Sequence, residues 1–156
     1  MSNFQISALN PTAFLHLFEL ENHELLNLGA VRMLVDKPTG FPCRISLQNA
    51  AVGEQVILLT YQHHDTSSPY RASGPVFIKQ NAVEAIPAIN EIPAMLLQRL
   101  LSVRAYDSTG MMLQADVIEG EKLYGVLTAW FEDAAIDYIH LHSAKHGCYN
   151  CSVTRV

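Results

Sequence analysis

No segment of this chain approaches the roughly eighteen consecutive apolar residues of a membrane-spanning helix. The amino terminus, MSNFQISALNPTAF, also lacks the basic stretch and apolar run of an export signal. The expectation is a soluble, cytoplasmic protein without a membrane partner. Positive charge is scarce: ten Lys and Arg stand against fifteen Asp and Glu, for a formal net charge of −5. The basic residues form no stripe, which argues against nucleic acid as a partner. Cysteine is equally sparse, and its odd number of three fits a reducing compartment in which thiols stay free. Cys148-Tyr-Asn-Cys151 has the gap of a zinc knuckle or redox pair, but the chain has no second such pair, so a four-cysteine site is excluded.

What is present is ordinary globular material. The 156 residues suit a single domain spanning 1–156, long enough to bury about two thirds of the unfolded surface. Asn10 with Pro11, and Asn22 further on, can open short helices, the second ending at Gly29. Val31 to Asp36 and Cys43 to Leu47 alternate as strands, and Gln55 to Tyr61, QVILLTY, is apolar enough to be the centre of a sheet. The polar run Gln62 to Pro75, QHHDTSSPYRASGP, reads as a surface loop. Within it Tyr70, Arg71 and Ser73 form a candidate anion-binding corner. Pro93 can start a helix; Leu101–Tyr106 and Met112–Ile118 suit a hairpin. Leu123, Val126, Leu127, Trp130 and Phe131 mark an amphipathic helix over Glu121–Glu132. The fold class is therefore α+β, with a largely antiparallel sheet, helices packed on one face and a C-terminal β-hairpin.

That last hairpin, in Asp137 to Arg155, concentrates the chemistry. Alternation places Tyr138, His140 and His142 on one strand face, with Ile139 and Leu141 on the other. Gly147 supplies the left-handed residue of the turn. A register with His142 opposite Cys148 and His140 opposite Asn150 separates polar from apolar side chains. It gathers Cys148 with the two imidazoles and sends Cys151 into the core.

Four blocks carry a family resemblance: Pro42-Cys43-Arg44; Ser68-Pro69-Tyr70-Arg71-Ala72-Ser73-Gly74-Pro75; Arg104-Ala105-Tyr106-Asp107; and His140-x-His142 with Gly147-Cys148-Tyr149. Together they resemble a bacterial family catalogued as domain of unknown function 1203, over nearly the whole chain. The resemblance implies a bacterial source and a single domain, and assigns no reaction, cofactor or catalytic residue.

Three functions follow from the residues. The favoured one is a small ligand-binding or interaction domain in which Arg44, Tyr70, Arg71, Ser73 and Arg104 offer contacts to an anionic small molecule. The second is a metal protein in which His140, His142 and Cys148 ligate zinc or iron. The third is a thiol enzyme acting on an anionic small molecule, with Cys148 as nucleophile, His142 or His140 as its base and Asn150 orienting the imidazole.

Overall fold

The computed structural model describes every residue from Met1 to Val156. Alternating and β-branched segments form eight strands: β1 Phe4–Ser7, β2 Val31–Leu34, β3 Gln55–His64, β4 Ala72–Lys79, β5 Leu100–Tyr106, β6 Met112–Glu119, β7 Tyr138–Ser143 and β8 Tyr149–Arg155. They make two antiparallel sheets instead of one. The larger has the order β1-β8-β7-β5-β6 and the smaller β2-β3-β4. The strand expected at a sheet centre, β3, is central in the smaller sheet.

Parity builds the main core. Leu101, Val103 and Ala105 of β5, Ile139 and Leu141 of β7, and Cys151 and Val153 of β8 are buried in one cluster with the helix Leu123–Trp130. Leu123, Leu127 and Phe131 come from the amphipathic pattern, and each such side chain contributes about 1.5–3 kcal/mol when buried. A second cluster fills the smaller sheet with Ile57, Val76 and Ile78, and takes in Leu25 of helix α1, Asn22–Asn27. No helix is long and apolar enough to cross a membrane.

Two expectations about local structure change. Cys43–Leu47 is not a strand but a turn, tied by single bridges between Pro42 and Asn49 and between Cys43 and Phe77. Leu47 there has φ 53°, a conformation unusual for a bulky residue, and the side chain is held in the main core. The polar loop is also shorter than its composition suggests. Strand β3 continues through His64 and β4 begins at Ala72, with Thr60 paired to Pro75. Because β4 is an edge strand, a proline that cannot donate is tolerated in it.

Candidate functional site

The second face of the large sheet is polar where β5 and β7 meet. Ser102 lies opposite His142, Arg104 opposite His140, and Tyr106 opposite Tyr138. All six project from the face away from the main core, since their alternates Leu101, Val103, Ala105, Ile139 and Leu141 are in it.

The register of β7 with β8 differs from the expected one. His140 faces Ser152 and Leu141 faces Cys151, after which a bulge between Leu141 and His142 brings Tyr149 opposite His142. A bulge sets two residues against one and shifts everything beyond it. Cys148 lies outside β8, partly exposed in the turn, where its carbonyl accepts from the Ser143 N–H at 2.9 Å and its Sγ is 3.9 Å from the His146 carbonyl oxygen. It is therefore not across from His142, and the geometry expected for a Cys148–His142 nucleophile pair is absent. Cys151 is in the core as expected, and Gly147 takes φ 77° in the turn. Asn150 is buried and donates to Ser143 Oγ at 3.2 Å, so its amide nitrogen holds the hairpin and not an imidazole.

The third member of the histidine cluster comes from the other sheet. A bulge between Tyr61 and His64 of β3 leaves Gln62 and His63 together opposite Ser73. This lets consecutive residues His63 and His64 both approach β7. The His63 ring lies 4.9 Å from that of His142 and 6.4 Å from that of His140, and stacks on Tyr149 at 5.3 Å. His63, His140 and His142 each offer a ligand nitrogen, and these nitrogens all lie within 4.8 Å of one another. Cys148 is outside that group. Tetrahedral zinc with bonds of about 2.0–2.1 Å needs nitrogens about 3.4 Å apart, so a small inward movement would suffice.

Hydrogen bonding separates these three histidines from the fourth. His64 Nδ1 lies 2.8 Å from the Tyr70 carbonyl, which can only accept, so the proton is on Nδ1 and Nε2 accepts from the Tyr138 hydroxyl at 2.6 Å. His64 is satisfied on both sides. His142 Nδ1 donates to the Gly147 carbonyl at 2.9 Å, which leaves Nε2 with a free lone pair. His63 Nδ1, His140 Nδ1 and His142 Nε2 are buried and have no hydrogen-bond partner. One unpartnered nitrogen on each ring of a three-imidazole cluster is uncommon, because buried polar atoms are nearly always paired.

Burial pushes the three imidazoles down, to about 4 for His63, about 3 for His140 and about 4 for His142. The positive charge of Arg104 lowers each of them further, as do neighbouring histidines. At neutral pH all three are uncharged, the form that coordinates a metal. The cluster borders an open cleft of about 600 Å³ whose walls include His63, His140, Tyr138, Asp65, Thr66 and Thr109. Gly110 also lines it, with φ 81°; a Cβ there would sit 2.1 Å from Thr66 Oγ1, so this wall depends on glycine.

The remaining expected residues scatter. Arg71 is exposed and braces β3: with the Gln62 amide oriented to satisfy both groups, its oxygen accepts from Arg71 Nε at 2.6 Å and Nη2 at 3.0 Å. Tyr70 contributes its carbonyl to His64, and Ser73 is exposed on β4. Arg44 is almost wholly buried and donates to the Tyr149 carbonyl at 2.7 Å and to that of Pro42. Burial lowers its pKa to about 10. It pins the turn after β2 to the strand that carries Tyr149, the ring stacked on His63. Arg44→Ala should therefore cost about 2–4 kcal/mol, because two buried carbonyls lose their donor. A urea titration checks this; a loss below about 1 kcal/mol would mean that water replaces the guanidinium.

His63 and His64 were hidden in a run that reads as loop. The available signal was their position directly after an apolar strand, where continued alternation puts Tyr61 and His63 on one face.

No curated protein and no solved structure matches this chain. A family model does match, over residues 40–155, a span that includes His63, His64, Arg104, His140 and His142. By that match the chain belongs to the family described as protein of unknown function DUF1203.

Proposed function

We propose that this chain is a metal-binding domain that holds one zinc ion through His63, His140 and His142, with a fourth position directed to the cleft. The observation that carries the reading is that three neutral imidazoles from two sheets bring one ligand nitrogen each within 4.8 Å of the others, and that each ring has a buried nitrogen without a partner. Each unpartnered nitrogen costs about 1–3 kcal/mol in the folded state. A cation supplies all three with a partner at once.

The donor set favours zinc over iron(II). Three imidazoles with an open position form a known zinc pattern, whereas non-haem iron(II) sites more often use two histidines and a carboxylate. Asp65 is the acidic residue on the cleft wall, and it is exposed and outside the ligand group. The Gly147 carbonyl fixes the His142 ring through Nδ1, the outer contact that metal-bound imidazoles commonly have. Zinc with an open position would polarise a bound water or carbonyl there.

Elemental analysis of protein purified without an affinity metal tests the reading. The expected result is about one zinc per chain, removed by a chelator and restored by added zinc. Metal-free protein that takes up none on addition would return the cluster to a water-filled polar network. The chain would then be a binding domain without a metal.

A further inference from the structure

Arg104 is the charged residue in register with the histidines, and zinc ligation leaves it without a charged partner. It stands directly opposite His140, and its Nε donates to Ser102 Oγ at 3.1 Å, the residue opposite His142. The guanidinium therefore lies on the histidine face of β5, held by Ser102 and beside the Tyr106 hydroxyl. Arg104 is half-buried, yet the ion pairs of the protein are Met1 with Glu132, His23 with Glu21, and Lys79 with Glu54. No carboxylate lies within ion-pair distance of it. The charges that act on the three imidazoles come from Arg104, Arg44 and other histidines, and from no acidic group.

We infer that the site takes a small oxyanion, carboxylate or phosphate in type, held between the metal and the Arg104 guanidinium. This rests on the metal reading above. A divalent ion on three neutral imidazoles beside an arginine gathers three positive charges, and the acidic residue of the cleft, Asp65, is exposed and forms no ion pair with Arg104, so charge of that density in a partly buried site needs a counter-charge. Guanidinium offers paired N–H donors whose spacing matches two oxygens of one carboxylate or phosphate. The metal takes a further oxygen, or one of the same pair. The Thr66 and Thr109 hydroxyls on the cleft wall already donate, to the Thr109 carbonyl and to Asp107, so the guanidinium is the donor left for the anion.

Cobalt(II) in place of zinc makes the test optical, because its visible spectrum reports both coordination by histidine and the arrival of an oxygen ligand. The cobalt-loaded full chain is titrated separately with acetate and with inorganic phosphate. A saturable spectral change with either is expected, and the probe that binds more tightly identifies the source of the oxyanion. Arg104→Met should weaken that binding at least about tenfold and Arg104→Lys by less, with cobalt affinity no lower than in the unaltered protein. Cobalt that binds but responds to neither anion overturns this inference and leaves the metal reading standing, as does an Arg104→Met protein that binds them as tightly. Failure to bind cobalt at all removes both. Should Arg104→Met not fold, the titrations of the unaltered and Arg104→Lys proteins still decide: no anion response in the first, or equal binding in both, overturns the role given to the guanidinium.

Discussion

Replacing any one of His63, His140 or His142 by alanine should lower zinc affinity by at least about 100-fold, while Cys148→Ser leaves it unchanged. The figure exceeds the 10–100-fold typical for loss of an outer contact, because each change removes a ligand outright. His63 is the most informative of the three. It comes from the smaller sheet, so its loss separates a site built between sheets from one built on the last hairpin alone. Zinc should also stabilise the unaltered fold, since a ligand at 1,000 times its Kd adds about 4 kcal/mol. For a chain of this size that is roughly 8–16 °C in Tm. The alanine variants should lose that increment; an increment that survives His63→Ala would place the metal elsewhere.

The second large effect is acid sensitivity of the metal-free protein. The imidazole pKa values fall from 6.5 to about 4, about 3 and about 4 for His63, His140 and His142. Between these values and 6.5 the unfolded chain binds protons that the folded chain refuses, so stability is complete above pH 6.5 and is lost as pH falls toward 4. Each such proton is worth about 1.4 kcal/mol per pH unit. His63 is partly open to the cleft and solvent discounts its share, so the two buried rings set the expectation, about 3 kcal/mol per unit. Glu54 and Asp107 are held below their usual range by hydrogen bonds, first from the Ala51 backbone and the Thr109 side chain respectively, so their own loss of stability falls at lower pH than this window. In chelator, Tm should drop by roughly 10 °C between pH 7 and pH 5. A His140→Gln, His142→Gln double variant should be much flatter. An unaltered protein with the same Tm at both pH values would mean that the rings are already solvated.

Much of this architecture is written in local patterns. The alternation of Leu101, Val103 and Ala105 and of Ile139 and Leu141, and the spacing from Leu123 to Phe131, report burial directly, and each segment lies where its pattern places it. The shared face of His140 and His142 follows from parity alone. Bulges are what hides the rest. The turn sets Ser143 against Cys148 and so His142 against Tyr149, and a bulge beyond it, between Leu141 and His142, then brings His140 opposite Ser152. Another in β3 turns two adjacent histidines toward the same cluster. A bulge is set by tertiary contacts, here the fit of one sheet against the other, and alternation carries no record of it. Arg44 is a different case: its burial rests on backbone carbonyls 2 and 105 residues away in the chain, which no side-chain pattern discloses. The division into two sheets is likewise a matter of long-range pairing.

X-ray absorption at the zinc edge tests the central claim most directly, on protein loaded with one equivalent and freed of excess. The account requires a first shell of nitrogen and oxygen at about 2.0–2.1 Å, with the outer-shell signature of three imidazoles. A sulfur scatterer at about 2.3 Å would bring Cys148 back as a ligand and contradict the tri-histidine site, as would a shell with fewer than three imidazoles.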